Sequence, residues 1–336
     1  MNETMLENGL DFILDAAKQL KLAEETKDNI ERNRAIKYSL LHLLSGIELV
    51  MKARLFLGDW TYIFADMNKA NKKDYINGNL KTVEYSNCVD RLERLCGLTF
   101  TEKDKKAFED LRKRRNCVEH FKVQDSVYSM ETVINHALSA TMNFLHDNNE
   151  EFSSPSKIDL NDSGDSWGLT DAENKLMDEI TSVVATLKKH YLDAVKYATD
   201  RADKQGLCLE EERVECPSCG EKILVPNEGN VHCYLCGYET DGEMAARAYL
   251  SNVKNLSEYR IVKYGGTYPI YTCPECGKYS YVDVGDKYQC LSCRQTYLYD
   301  MAGFCSECGE PYWKTDKDWD MCPNCKDYKM EKLEET

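Results

Sequence analysis

The sequence predicts a mainly α fold, with an N-terminal helical bundle, a long connecting helix and three small β-rich units. Apolar residues recur at three- and four-residue intervals through most of residues 5–148 and again over 169–205. A polar stretch rich in Ser and Asp separates these two regions. Twelve of the sixteen cysteines form six Cys-x-x-Cys pairs after residue 215, where short strand-like runs predict hairpins.

The composition limits the functions that the chain can have. Its 336 residues exceed one ordinary domain, so we expect two or three. The formal net charge of −15 argues against indiscriminate binding of nucleic acid, and any RNA contact must come from a local basic patch. No apolar run approaches the roughly 18 residues of a transmembrane helix, and the first residues lack the basic start of a signal peptide. We therefore expect a cytoplasmic protein that does not contact a membrane.

The bundle over residues 1–148 is predicted from five helical segments. The second of them is apolar over a wide arc, which suits the centre of a bundle. Gly97 ends the third segment, and Thr101 with Asp104 is a cap for the fourth. The five segments cover residues 5–25, 30–57, 86–96, 101–123 and 127–146.

Residues 149–168 are polar, are interrupted by Pro and Gly, and are predicted to form a linker. Residues 169–205 then show a helical period long enough for a helix of about 50 Å. Two interpretations of its apolar stripe stay open. The stripe packs against the bundle, or it pairs with a second copy as a coiled coil.

The functional hypothesis depends on the stretch Leu111–Phe121, which reads LRKRRNCVEHF. It contains no Gly or Pro and has the composition of a helix interior. Leu111, Val118 and Phe121 form an apolar stripe that can dock the helix on a core. The surrounding residues 101–123 hold eight Lys or Arg against five Asp or Glu, a net of +3. This is the best basic patch of an acidic chain.

Three polar residues of this helix suit phosphodiester cleavage without a metal. Asn116 and His120 are four residues apart and share a face, and the long side chain of Arg115 can reach the same patch. A histidine can transfer protons near neutral pH, and a guanidinium can neutralise charge that develops on a phosphoryl oxygen. The alternative interpretation is a solvated basic helix with one incidental histidine.

The same residues carry a resemblance to a known family. Residues 115–120, RNCVEH, resemble the Arg-Asn-x-x-x-His motif of HEPN (higher eukaryotes and prokaryotes nucleotide-binding) domains. Residues 37–56 are similar to the long core helix that precedes the motif in that family, and residues 60–70 resemble the segment after it in one bacterial branch. The resemblance covers residues 5–148. Arg114 also fits the spacing between Arg and His, so which arginine acts stays open.

The resemblance implies a HEPN-like helical bundle and a metal-independent endoribonuclease. Two chains would pair as a homodimer, or as a larger oligomer, and bring two motifs into one cleft that takes RNA. The reaction would leave a 2′,3′-cyclic phosphate, and related bacterial proteins act as toxins or antiviral-defence effectors. Some HEPN domains lack nuclease activity, so a non-catalytic interaction scaffold is the alternative. The implied catalytic residues are Arg115, Asn116, His120 and Arg114, and the residues implied to bind substrate are Arg112 and Lys113.

The C-terminal cysteines repeat one pattern, Cys-x2-Cys-x13-Cys-x2-Cys, three times. This spacing is typical of structural zinc sites with four thiolates, and the units resemble zinc ribbons over residues 211–243, 268–297 and 300–330. Redox pairs of the thioredoxin type are disfavoured because no βαβ pattern accompanies the cysteines. A cross-brace between the second and third units stays open. The predicted ligands of three zinc ions are Cys216, Cys219, Cys233 and Cys236; Cys273, Cys276, Cys290 and Cys293; and Cys305, Cys308, Cys322 and Cys325.

The ribbons are acidic, which makes them poor at binding phosphates. Residues 211–243 carry a net charge of −6 and residues 268–336 a net charge of −5. Their aromatic side chains could stack on unpaired bases, but we favour packing of the hairpins or a surface for a protein partner. The aromatic residues concerned are Tyr279, Tyr281, Tyr297, Tyr299, Tyr312, Trp313 and Trp319.

Overall fold

The computed structural model divides the chain into two compact units, Met1–Leu192 and Asp193–Thr336. The predicted mainly α fold is confirmed. None of the described helices is long and apolar enough to cross a membrane. The residues that the structure describes are 4–79, 81–120, 126–153, 169–204, 212–299, 302–309, 311–313 and 320–334.

The first unit is built from helices, with short 3-10 turns at Trp60–Ile63 and Met67–Lys69. The last helix begins in this unit and ends in the second one. The helices are α1 (Met5–Glu25), α2 (Asn29–Gly58), α3 (Lys72–Ile76), α4 (Tyr85–Cys96), α5 (Glu102–His120), α6 (Val127–Asp147), α7 (Asn149–Ser153) and α8 (Asp171–Lys204).

Helix α2 is the centre of the bundle, as its wide apolar arc predicts. Half of its residues are buried, and α1, α4, α5 and α6 all pack against it. Helices α1 and α2 are in close contact where Gly9 faces Gly46. A Cβ atom at Gly46 would lie 2.7 Å from the carbonyl oxygen of Gly9 and 2.7 Å from Cγ1 of Ile13. The small residues therefore set the distance between these two helices.

Local signals fix the start of α5, which carries the motif, and the end of α4 before it. The backbone N–H of Asp104 donates to Oγ1 of Thr101 at 3.1 Å, which confirms the predicted cap of α5. Gly97 has a φ of +70° and follows the last residue of α4, as predicted. The N–H of Leu98 then donates to the carbonyl of Leu92 at 3.2 Å and closes that helix end.

The structure corrects the predicted linker and settles the packing of the long helix. Residues 149–153 are helical, and Phe152 is buried in the bundle core, so the linker cannot begin at residue 149. The rest of that stretch, residues 154–168, lies outside the described residues. Ile180 and Leu187 of α8 are fully buried in the same core. The long helix therefore packs against the bundle over this part of its length.

Over its described residues, the second unit holds three small antiparallel sheets and several short helices. The order of strands is β1-β2-β3 in the first sheet, β4-β5-β6-β7 in the second and β8-β9 in the third. The strands are β1 (Leu224–Asn227), β2 (Asn230–Cys233), β3 (Glu239–Asp241), β4 (Tyr271–Thr272), β5 (Tyr279–Asp283), β6 (Lys287–Cys290), β7 (Thr296–Leu298), β8 (Ala302–Phe304) and β9 (Pro311–Trp313). The helices are α9 (Gly242–Ala248), a π-turn (Tyr249–Val253), α10 (Glu258–Lys263) and α11 (Pro323–Glu334).

The first two cysteine units share one apolar core. The helical segment between them, which the sequence analysis did not predict, contributes Tyr249 and Leu250 to this core. The second unit contributes Val282 and Leu291. A Cβ atom at Gly242 would lie 2.7 Å from the carbonyl oxygen of Leu291, so the backbones of the two units are in close contact. These ribbons are therefore one folding unit with an apolar core of its own.

The contact between α1 and α2 predicts a large effect of one methyl group. In an open helix, Gly→Ala stabilises by about 1 kcal/mol. Gly46→Ala should instead destabilise the bundle by about 1–3 kcal/mol, because the new Cβ meets the backbone of α1. The free energy of unfolding, measured with urea, checks this. Ser45→Ala is the matched control and should change the free energy of unfolding by less than about 0.5 kcal/mol. A Gly46→Ala variant as stable as the natural chain would contradict the close packing.

Candidate functional site

Helix α5 is held on the bundle by a short apolar face. Phe108 and Leu111 are fully buried, and Val118 packs against the same core while remaining half-buried. This confirms the docking role predicted for Leu111 and Val118, whereas Phe121 lies outside the described residues. Because the apolar face is fixed, the polar side chains of α5 have defined directions on the surface of the bundle.

Two arginines of the motif helix are paired with carboxylates of the same helix. Arg112 donates two hydrogen bonds to Glu109, at 2.8 and 2.7 Å, and these bonds lower the pKa of the Glu109 carboxyl. Nη1 of Arg115 lies 2.9 Å from Oε2 of Glu119, one turn further along. These pairs hold both guanidinium groups close to the helix surface.

The structure brings two of the predicted catalytic residues together. Nη1 of Arg115 lies 3.5 Å from Oδ1 of Asn116, and both side chains are half-buried. His120 is the last residue of α5, and its side chain lies outside the part of the chain that the structure describes. The helical backbone places its position about 40° from Asn116 and about 140° from Arg115 around the axis. Arg114, the other predicted arginine, is half-buried on the same helix.

A polar cluster beside the motif was not predicted. Asp110 of α5 is half-buried, and burial raises the pKa of its carboxyl, against the opposing effect of Arg114 and neighbouring cations. One of those opposing groups is His136 of α6, whose Nε2 lies 2.9 Å from the hydroxyl of Tyr191 on α8. The i, i+4 spacing of Asp110 and Arg114 is a signal that could have indicated part of this cluster. The contribution of α8 requires knowledge of the tertiary packing.

The twelve predicted metal ligands gather into three separate clusters. In each, the four Sγ atoms lie within 4.8 Å of one another. The Cys216–Cys236 and Cys219–Cys233 pairs are both 3.7 Å apart, and the Cys308–Cys322 pair is 3.8 Å apart. Sulfurs around a tetrahedral zinc ion, at Zn–S distances of about 2.3 Å, would lie about 3.8 Å from one another. The clusters therefore fit a metal ion with four thiolate ligands.

Each cluster is closed within its own repeat. Cys273 lies 3.7 Å from Cys293, and Cys276 lies 3.7 Å from Cys290, so the second repeat shares no ligand with the third. The cross-brace that the spacing left open is therefore not what the chain forms. His232 is not part of the first cluster, and its ring packs edge-on against that of Tyr234.

The loops that carry the cysteines have the geometry of metal-binding knuckles. The N–H of Gly220 donates to the carbonyl of Cys216 at 2.8 Å, and the glycine adopts a φ of +83°. Gly309 repeats this turn after Cys308, with a φ of +74°. A side chain is strained in this conformation, which favours glycine after the cysteine pair, although Arg294 adopts it after Cys293 with a φ of +70°.

The aromatic residues of the ribbons pack the hairpins, as we favoured. Tyr281 is fully buried, and Tyr297 and Tyr312 are nearly so. Tyr299 is more exposed, but its hydroxyl donates to Asp283 at 2.7 Å. The side chains of Trp313 and Trp319 lie outside the described residues. The described aromatic residues of the hairpins are thus mostly structural.

Comparison with models of known protein families, with curated proteins and with solved structures finds no match to this chain.

The clusters predict a stoichiometry of three metal ions per chain. Replacing two ligands of the first cluster, Cys219→Ser with Cys233→Ser, should leave two metal ions per chain, because a thiolate is a far better ligand than a hydroxyl for such ions. Elemental analysis of the purified protein measures the ratio. Cys117→Ser, outside the clusters, is the control and should retain three; an equal loss in both variants would contradict the assignment.

The half-buried Asp110 carboxyl predicts a pH-dependent stability. Because its pKa is raised on folding, it contributes stability that is fully present below the unfolded pKa of about 3.9 and is lost as the pH rises through the folded pKa. Asp110→Asn carries no charge at any pH. Its melting temperature, relative to the natural chain, should therefore rise from about pH 4 toward neutrality, as calorimetry would show.

Glu93→Gln provides a control of opposite sign. A hydrogen bond from Lys105 lowers the pKa of Glu93, with Nζ and Oε1 separated by 2.9 Å. The stability that this carboxylate contributes is present at neutral pH and lost in acid. The melting temperature of Glu93→Gln, relative to that of the natural chain, should therefore fall as the pH rises. If the melting-temperature difference from the natural chain changed with pH in the same direction in both variants, burial of Asp110 would not be the dominant effect on its pKa.

Proposed function

We propose that this chain is a metal-independent endoribonuclease that acts in a cleft between two paired chains. The observation that supports the proposal is the contact of Arg115 with Asn116 on a helix docked to the bundle core, one turn before His120. A guanidinium, an amide and an imidazole on one fixed helix are the groups that metal-free phosphodiester cleavage needs.

The proposed reaction uses the ribose 2′-hydroxyl as the nucleophile. His120 of one chain acts as general base or acid, moving a proton between the 2′-hydroxyl and the leaving 5′-oxygen. The 2′-oxygen forms a bond to phosphorus while the bond to the 5′-oxygen breaks, and the 5′-oxygen leaves as a hydroxyl. The products are a 2′,3′-cyclic phosphate and a 5′-hydroxyl, so DNA is not cut.

The cations of α5 stabilise the negative charge of the transition state. Arg115 faces the phosphoryl oxygens, with Asn116 donating from its amide, and Arg114 is the second arginine that can serve. Arg112 and Lys113 contact neighbouring phosphates of the RNA. Because Glu119 holds Arg115 in the free chain, an RNA phosphate would replace this carboxylate on binding.

The three cysteine clusters hold structural zinc ions in this proposal. All four ligands of each ion are thiolates, which leaves no coordination position for substrate. Each ion stabilises its ribbon, on the order of 10 kcal/mol per site. The ribbons then serve target or partner recognition, and the resemblance of the bundle to HEPN toxins suggests a role in growth arrest or antiviral defence in the cytoplasm.

The test is RNA cleavage in the presence of EDTA. The natural chain should cut single-stranded RNA, and His120→Ala should lose at least about 100-fold in rate, the usual contribution of general acid–base catalysis. His146→Ala, which removes an exposed histidine of α6, is the matched control and should retain full activity. Metal content is measured in parallel, so that the ribbons are known to remain loaded.

Two results would contradict the proposal. One is an unchanged cleavage rate in His120→Ala, and the other is cleavage of a substrate in which every 2′-hydroxyl is methylated. The termini of the products give a further check, because a 2′,3′-cyclic phosphate requires attack by the neighbouring 2′-oxygen.

A second candidate function is a non-catalytic interaction scaffold. The observation that favours it is the pairing of Arg112 with Glu109 and of Arg115 with Glu119, which neutralises two cations of the motif. The acidic ribbons would then bind a protein partner. A chain that cuts no RNA, and that holds a defined protein through its ribbons, would support this function over the nuclease.

A further inference from the structure

The helical segment between the first two ribbons exposes an unusual set of side chains. Tyr259 is 72% exposed and Tyr264 is 81% exposed, although they lie on or next to a helix that packs on a core. Arg260 and Lys263 lie between them in the sequence and are also exposed. We call these four residues the α10 patch.

The patch occupies one side of α10. Around the helix axis, with Tyr259 at 0°, Lys263 lies at about 40°, Arg260 at about 100° and Tyr264 at about 140°. Ile261, at about 200°, packs against the apolar core that the first two ribbons share. Two aromatic rings thus flank two cations on the outward arc, while Ile261 anchors the helix.

The surrounding charge makes this the basic part of the second unit. Residues 244–267 hold four Lys or Arg and one Glu, a net charge of +3. They lie between two acidic segments, residues 211–243 and 268–336, whose net charges are −6 and −5. The one carboxylate, Glu258, accepts two hydrogen bonds from Arg247, both at 2.9 Å. Arg260 makes no ion pair within the described part of the chain. Its positive charge is therefore available to an anionic ligand.

Local contacts hold the patch in place before any ligand binds. Ser257 caps α10 by accepting from the N–H of Arg260 at 3.3 Å, and the N–H of Gly266 closes the other end on Ile261 at 2.9 Å. Nζ of Lys263 lies 5.5 Å from the ring centroid of Tyr259. The cation therefore lies over one face of the ring, in a cation–π contact that orders both side chains before a base stacks on the other face.

We propose that the α10 patch is a binding site for single-stranded RNA. Unpaired bases stack on Tyr259 and Tyr264, and the phosphates between them lie against Arg260 and Lys263. The positive charge favours a polyanion over a protein surface, and a duplex hides the base faces that the rings require. The site goes beyond the proposed nuclease, because it binds RNA without taking part in cleavage.

The experiment measures binding by fluorescence anisotropy of a labelled oligouridylate. The full, metal-loaded chain carries His120→Ala and Arg115→Ala, which removes cleavage and weakens RNA contacts at the motif helix. In this background Tyr259→Ala and Tyr264→Ala should each weaken binding at least about fivefold, the loss of one stacked base. Arg260→Ala with Lys263→Ala should reduce the slope of log K against log salt by about 1.4.

A matched control is present in the same unit. On α11, Tyr328 is 60% exposed and Nζ of Lys332 lies 4.8 Å from its ring centroid, with the same i, i+4 spacing. The acidic and basic residues of α11 are equal in number, so this helix carries no net charge. Adding Tyr328→Ala and Lys332→Ala to the chain that carries His120→Ala and Arg115→Ala should therefore leave its RNA affinity unchanged. The substitutions on α10 and α11 are all at exposed positions, and unchanged metal content verifies the fold of the ribbons.

Several outcomes would each overturn the proposal. They are binding unaffected by Tyr259→Ala and Tyr264→Ala, duplex RNA bound as tightly as the oligouridylate, and an equal loss in the α11 control. A chain that binds no RNA but binds a protein through the patch would also overturn it. Because cleavage is absent from this assay, failure of the nuclease proposal would leave these results interpretable.

Discussion

The position of the motif depends on burial of α2. This helix is apolar around most of its circumference, so it is stable only when other helices cover it on several sides. Phe108 and Leu111 give α5 its place among those helices. The direction of Arg115 and Asn116 follows from that packing, because a helix docked through one face cannot rotate without exposing apolar surface. The chemistry proposed for α5 is thus a consequence of core formation.

The second unit depends on a combination of thiolate clusters and apolar packing. Each ribbon is too short to form an apolar core of its own, so a bound metal ion has to supply much of its stability. The shared core shows that Tyr249, Val282 and Leu291 add apolar burial between the first two ribbons. The helical segment is what makes this possible, since it covers apolar faces that two separate hairpins would leave in water. Its outward side is then free to carry the α10 patch.

Local signals in the sequence were sufficient for much of this structure. Long helices follow from periodicity, the start of α5 from Thr101, and the cysteine clusters from spacing, because each depends on residues close together in the chain. The short helix α10 has too few residues to show a period. The contact of His136 with Tyr191 joins residues 55 apart, and only tertiary packing reveals it. The linker prediction was wrong at residues 149–153, because one apolar residue, Phe152, is enough to dock a helical turn on the bundle.

The distribution of charge links the two RNA-binding proposals. A chain with a net charge of −15 repels nucleic acid as a whole. Binding therefore requires favourable contacts at short range, closer than about one Debye length of 8 Å. Both basic stretches, residues 101–123 and 244–267, have a net of +3 on an acidic background. At each, aromatic or hydrogen-bonding groups accompany the cations. Under both proposals the protein would discriminate against duplexes and bulk nucleic acid, because only an RNA that offers accessible bases or a scissile phosphate would gain enough short-range energy to offset the repulsion.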